Sequence, residues 1–336
     1  MMLLKHRINF LKKRPRVVKK KTAISIKCNT RQLPLEIQEI ICFMVLGEDN
    51  SSSFALTAMR VCKTWASLVC ERMYRKYQFQ NYLQFIGFVN TISLDNPILP
   101  YNLYVKDIDL APVNKYGVDV RVRKLIKYCP NIVTITLGHI TSVKADTLQL
   151  MARYCRTVHT LQMGGIQSFP FMFDCDFSGM TGLRNLSLTT TPLQTSSLQS
   201  LPTSIRHLQL VQMDSIQPAE LSDFLGRHSK LITLSIRRCK HITNNFAQLM
   251  AQLPLLKELE VYGPEINDSA LRGLFDIPAV LHTLRVCHTQ ITDSTLDALT
   301  NGRLVIHHLN ISNNANITKI GIEQLLRTKQ LKKLTA

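Results

Sequence analysis

No acidic residue precedes Glu36, no Cys-x-x-C or zinc-finger spacing links the nine cysteines, and no run of about 18 apolar residues occurs. The last absence leaves no candidate for a membrane-spanning helix, so no membrane partner is expected. Cysteines scattered without paired spacing, from Cys28 to Cys287, read as reduced thiols in a reducing compartment. The chain also lacks a nucleophile elbow, a phosphate-binding glycine loop and a His-Glu-x-x-His signature. Cys62 and Cys70 have apolar neighbours at helical spacing and read as small core residues rather than nucleophiles. The chain is therefore expected not to be an enzyme, with no catalytic residue, no metal and no cofactor.

What the chain has in excess is positive charge, +18 from 41 Lys and Arg against 23 Asp and Glu. Eleven of those cations, Lys5 to Arg31, sit ahead of Glu36; the remaining 30 basic and 23 acidic residues leave only +7. Residues 1–31 thus form a basic tail expected to be disordered, and KKRPRVVKKK is too polar to pack and lacks a secretory apolar region. Two readings stand side by side: a nuclear import signal or nucleic-acid tether, and a solvated basic arm. A mitochondrial presequence is disfavoured because the stretch is serine-poor and Pro15 interrupts any helix. Aromatics do not alternate with the charges, so nucleic acid is not an expected partner. The expected location is nucleus, cytoplasm or both.

The dominant signal is internal repetition. LHTLRVCHTQITDSTLDAL at 281–299 echoes LKELEVYGPEINDSALRGL at 256–274. The phrase apolar-x-x-apolar-x-apolar starts at 105, 132, 158, 183, 205, 231, 256, 281 and 306, with a half phrase at 331, in steps of 22 to 27 residues. The last two apolar positions, one residue apart, predict a short strand. Apolar residues three or four apart then predict a helix, with Asp268 and Asp293 placed to cap it. One such unit cannot close a core by itself, so the units are expected to stack into an α/β solenoid. Its expected shape is a horseshoe, parallel strands inside and helices outside. The last half phrase, LKKLTA, stops inside a strand; either Lys332 and Lys333 discourage edge pairing there or the sequence continues.

Residues 32–76 follow another rhythm. LPLEIQEIICFMV predicts a helix begun at Leu33-Pro34, with an apolar stripe of Ile37, Ile40, Ile41 and Met44. After the polar stretch GEDNSSS, further helices carry Leu56, Val61, Trp65 and Leu68. So small a bundle has little core of its own, and its leftover apolar face is expected to need a partner. The alternative is an ordinary helical cap over the first repeat.

Residues 103–336, with Leu-x-x-Leu-x-Leu, Ile-Thr-Asp turns and Cys129, Cys155 and Cys239 in register, resemble the cysteine-containing leucine-rich repeats. Residues 32–76 resemble an F-box through Leu33, Pro34, Glu36, Ile37, Ile41, Val45, Val61, Cys62, Lys63, Trp65 and Tyr74, with a longer link at GEDNSSS. Residues 77–102, with Tyr77, Tyr82, Phe85 and Phe88, are expected to be a helical linker. The pairing resembles the fungal substrate receptors of cullin-RING ubiquitin ligases. It implies a non-catalytic receptor that binds a Skp-type adaptor through Leu33, Pro34, Ile37, Ile41, Val61 and Trp65. The other reading is a repeat protein that inhibits or scaffolds a partner, its F-box vestigial.

Positions that flank the apolar strand residues face solvent on the inner sheet, and there a protein target is expected. Arg237, Glu258, Glu260, Tyr262 and Arg285 are the expected contacts, because Arg and Tyr are frequent interface anchors. A phosphate-binding spot is conceivable only around Arg237 and Arg238, since the two glutamates repel phosphate. His282 and His307, one repeat apart, with Cys287, His288 and His308 nearby, read as a by-product of repetition rather than a metal site.

Overall fold

The computed structural model describes residues 33–46, 52–113, 118–139, 143–164, 174–191, 193–241, 246–329 and 331–336. The basic tail expected above and residues 47–51 of the GEDNSSS link fall outside the described residues, while Ser52 and Ser53 open a helix. The chain divides into two compact units: residues 33–113 with Val120–Ile132, and residues 118–119 with Val133–Ala336.

The first unit opens with three helices, α1 (Leu35–Leu46), α2 (Ser52–Ala58) and α3 (Lys63–Arg75). Pro34, which has no N–H to lose, stands just ahead of α1, and its carbonyl accepts from Ile37 and Gln38 at 3.1 Å each. Cys62 has extended backbone and caps α3, its sulfur accepting from the Trp65 N–H at 3.5 Å. Cys42, Leu46, Ala55, Ala58 and Val69 form the buried centre, with Phe43, Phe54, Trp65 and Leu68 packed around it.

A second, aromatic core follows. Strand β1 (Lys76–Tyr77) leads to α4 (Tyr82–Ile92), capped by the Asn81 side chain, then α5 (Tyr101–Tyr104), β2 (Asp107–Asp109) and α6 (Asp119–Tyr128). Phe88 is buried against Tyr74, Tyr77 and Phe79, with ring centroids 4.9 to 5.6 Å apart. Burial pushes the Tyr74 hydroxyl well above its ordinary range. Periodicity places the first strand near Val105; the structure has one earlier, β1, which pairs parallel with β2 (Tyr77↔Ile108). Two residues are too few for an alternating pattern to show.

The second unit is a leucine-rich-repeat solenoid. Its strands are β3 (Thr134–His139), β4 (Thr160–Gly164), β5 (Asn185–Thr189), β6 (His207–Val211), β7 (Thr233–Arg237), β8 (Glu258–Tyr262), β9 (Val280–Cys287), β10 (Val305–Asn310) and β11 (Lys333–Thr335). All pair in parallel with their sequence neighbours from β3 onward. Helices α7 (Ala145–Tyr154), α8 (Thr195–Gln199), α9 (Pro218–Arg227), α10 (Phe246–Ala251), α11 (Asp293–Asn301) and α12 (Lys319–Thr328) make the second layer.

Register follows the repeat residue for residue: Leu186, Leu208, Leu234, Leu259, Leu284, Leu309 and Leu334 lie side by side on consecutive strands. Leu188, Leu210, Ile236, Val261 and Val286 form a parallel column, and both columns are buried apart from the end residue Leu334. A slip by one residue would turn every one of these side chains toward solvent, so burial fixes the pairing.

Two expectations are corrected. The stretch around Leu271 and Leu274 is a run of turns rather than a helix, with i→i+3 bonds such as Leu274 N–H to Leu271 C=O at 3.0 Å. Gly273, at φ +76°, breaks the α-helical path there. Asp268 and Asp293 do not cap their own repeats but clamp the next one. The Asp268 carboxylate accepts from the Thr292 N–H and hydroxyl, both at 2.8 Å, and from Thr295. Asp293 likewise receives the Thr318 N–H at 2.9 Å and its hydroxyl. Asp119 does the same for Lys144 and Thr147. Gly321 completes the Asp293 clamp, because a Cβ there would run into the carboxylate.

Desolvation pushes the Asp268 carboxyl up, but the bonds from Thr292 and Thr295 outweigh it and hold the group below the usual carboxylate range. Its stabilisation is therefore complete above the unfolded pKa near ~3.9 and is lost as pH falls through the folded value. We expect Asp268→Ala to cost about 2 kcal/mol at neutral pH, measured by urea unfolding. The gap to wild type should shrink progressively below about pH 4; a gap that persists undiminished in acid would contradict the clamp.

Candidate functional site

Each unit presents its own candidate surface. In the first, α1 is built inside out. Its buried residues are Gln38, Cys42 and Leu46, while Leu35, Ile37, Ile40, Met44 and Val45 are exposed, Met44 at 79%. Gln38 can be inside because it is satisfied: its Nε2 donates to the Leu33 carbonyl at 2.8 Å and its Oε1 accepts from Trp65 Nε1 at 3.1 Å. A helix with apolar residues on nearly every side belongs in an interior, and here its own unit covers only one side. Leu33, Leu56 and Val61 add to the exposed apolar area.

Of the residues expected to meet an adaptor, Leu33, Pro34, Ile37 and Val61 are exposed. Ile41 is half-buried. Trp65 is half-buried too, packed on the unit's own core with its indole N–H already bonded to Gln38. Ile40, Met44, Val45 and Leu56 are as open as any of these. Ile40 and Met44 belong to the apolar stripe expected from the spacing, but Cys42, Phe43 and Leu46 are apolar as well, so spacing alone does not mark which side is outward. The usable signal is Gln38, the lone amide in the helix, with a tryptophan downstream to hold it.

In the second unit the five expected contact residues lie together on β7, β8 and β9. Register sets Arg237 beside Tyr262 and Glu260 beside Arg285. They are also partners of one another. Arg237 pairs with Glu260 at 2.8 Å, Glu260 accepts from Ser235 Oγ at 3.0 Å, and Arg285 approaches Glu258 at 4.0 Å. These exposed pairs set side-chain directions more than they add stability. Because Glu260 neutralises Arg237, the phosphate spot considered above loses one of its two cations.

Two residues beyond the expected set join this surface. His288 lies against the Tyr262 ring, centroids 4.6 Å apart, and the Arg238 guanidinium sits 5.4 Å from the same ring. Both have φ near +50°, at the turn directly after a strand, which aims them back over the preceding residue's neighbour. The repeat holds the signal, since 238 and 288 are equivalent positions two repeats apart.

His282 and His307 are adjacent, with ring centroids 5.2 Å apart, but Cys287 bonds instead to Asn310. No group of three or more His, Cys, Asp or Glu among the described residues is arranged to hold a metal ion. The buried thiols are poor nucleophiles: burial pushes Cys70 up to about 11 and Cys155 up to about 12. No described helix is long and apolar enough to cross a membrane.

No family model matches the chain. The chain is similar, at a distance, to the Schizosaccharomyces pombe protein named SCF E3 ubiquitin ligase complex F-box protein pof2. The two are 22% identical over 268 residues, covering 70% of this chain. The chain spans only 58% of that relative's length. Among solved structures it is similar to the complex of Rad7 and Elc1 in yeast, with 15% identity, a TM-score of 0.45, and coverage of 94% of this chain and 74% of that one. An internalin (inlF) from Listeria monocytogenes shows 16% identity and a TM-score of 0.42, over 74% of this chain and 75% of the other.

If the outward side of α1 belongs to no core of this chain, Ile40→Gln with Met44→Gln should change stability by less than about 0.5 kcal/mol. Leu46→Ala, which empties the buried centre, should cost about 2–5 kcal/mol. Denaturant titration followed by circular dichroism separates the two. Equal costs would place Ile40 and Met44 in a core.

Proposed function

We propose that the chain is a non-catalytic substrate receptor of a cullin-RING ubiquitin ligase, holding an adaptor of the Skp type on α1 and its neighbours and a target protein on the strand face of the repeats. The observation that carries this reading is the inverted helix. Ile37, Ile40 and Met44 stand in solvent while an amide, Gln38, takes the interior position. The motif residues Leu33, Pro34 and Val61 are exposed as well, and the similarity to an F-box protein supports the same assignment. Burying six such side chains against a partner would contribute on the order of 10 kcal/mol before association costs are subtracted.

Chemistry on the target would be done elsewhere in the assembly. This chain's contribution is proximity: a target held on Arg285, Tyr262 and their neighbours meets the ubiquitin-charged enzyme at an effective concentration set by the tether. Paired charges such as Arg237 with Glu260 are oriented before any partner arrives. Orientation in advance lowers the entropy that binding must spend.

Purified chain mixed with a Skp-type adaptor should elute as one complex in size-exclusion chromatography. Ile40→Glu with Met44→Glu should abolish co-elution, because two carboxylates would be buried unpaired. Trp65→Phe should weaken it moderately by freeing Gln38. A wild-type chain that stays apart from every adaptor tested would contradict the proposal.

A further inference from the structure

The start of each strand in the second unit carries a column that neither surface above uses. One residue follows the first buried apolar position of every repeat, and backbone bonds tie these residues in sequence. Arg206 N–H donates to Arg184 C=O (2.7 Å), Lys257 N–H to Ile232 C=O (2.8 Å), His282 N–H to Lys257 C=O (2.8 Å) and Lys332 N–H to His307 C=O (2.9 Å). Arg184, Arg206, Lys257, His282, His307 and Lys332 thus form one line across adjacent strands, interrupted only by Ile232 and extended upstream by His159. The line contains no carboxylate.

Side chains share the line as well as backbones. His282 and His307 touch edge to face. His307 is held below its ordinary imidazole range, first by desolvation and then by the positive charges of Lys332, His282 and His308. None of Arg184, Arg206, Lys257 or Lys332 pairs with a carboxylate among the described residues. Arg206 Nη1 is shut off from solvent with no acceptor. The neighbouring column holds a single acid, Glu258, which faces Arg285. Arg184 and Arg206, cations on adjacent strands at a spacing of about 4.8 Å, repel one another, and the column supplies no acid to relieve them.

We infer that this strand-start line binds an extended, carboxylate-rich polypeptide segment. Charge selects an anion, and three features favour polypeptide over nucleic acid. Neither column offers a tyrosine, tryptophan or phenylalanine on which bases could stack. Glu258 and Glu260 lie alongside, tolerable beside a side-chain polymer with neutral stretches and costly beside a continuous phosphate backbone. The line from His159 to Lys332 crosses eight strands, roughly 34 Å at that spacing, which about ten extended residues span. The chain's own residues 1–31 cannot be the occupant, since they carry eleven cations and no acid. The inference does not depend on the adaptor reading, and its test contains no adaptor.

The test uses the full chain and a fluorescein-labelled ten-residue glutamate peptide, followed by anisotropy at low salt. Wild type should bind, and Arg184→Ser, Arg206→Ser, Lys257→Ser and Lys332→Ser combined should weaken binding about tenfold. The basic tail attracts the peptide equally in both proteins, so the difference reads the line alone. Circular dichroism checks folding; should the combined variant fail to fold, Arg184→Ser and Lys257→Ser singly should each weaken binding about twofold. Unchanged affinity in folded variants would overturn the inference. So would an oligothymidylate of equal charge that binds more tightly than the peptide and depends on the same four residues.

Discussion

Like sits beside like across parallel strands, and that one constraint shapes everything else in the second unit. Each strand presents two buried side chains to a layer of helices, and the neighbouring repeat covers what its own helix leaves open. Leu208 is enclosed because Leu186 and Leu234 flank it at the same height. Positions in the repeat therefore become columns in space, whatever their chemistry. Apolar columns give a core, aspartates give clamps that reach from one repeat to the next, and the strand-start column gathers Arg184, Arg206, Lys257 and Lys332 with no carboxylate among them.

The clamps show how the columns become a cooperative stack. A carboxylate in one repeat satisfies the first N–H and hydroxyl of the following helix, as Asp268 does for Thr292 and Asp293 for Thr318. Thr292 and Thr318 each cap their own helix, bonding Ser294 N–H and Gly321 N–H, and the carboxylate of the preceding repeat in turn holds that capping threonine. The first unit obeys the opposite logic. Its three short helices enclose only a small centre of Cys42, Leu46, Ala55, Ala58 and Val69. The apolar residues that remain, Ile37, Ile40 and Met44 among them, are exposed, and the proposed adaptor would enclose them.

The sequence makes the register legible because a period near 25 residues survives every substitution that keeps the apolar positions. Strand positions from Thr134 to Thr335 follow directly from it. Helix content is less legible: Leu271 and Leu274 have helical spacing, yet Gly273 at positive φ turns the segment into successive tight turns. The role of Asp268 and Asp293 is read wrongly from sequence because a cap within a repeat and a clamp between repeats both leave an aspartate just after the Ile-Asn or Ile-Thr turn. On the candidate surfaces, alternation identifies Arg237, Tyr262 and Arg285 as solvent-facing. It cannot show that Arg237 is already spoken for by Glu260, nor that Ile40 and Met44 stand outside, since both facts depend on side-chain geometry.

The most direct test of the account is amide hydrogen exchange of the chain alone and with a Skp-type adaptor. Added protection is predicted in Leu35–Leu46 and around Val61, with β3 to β11 unchanged. Protection that arises in the repeats while α1 exchanges as before would contradict the claim that this helix is completed by another subunit.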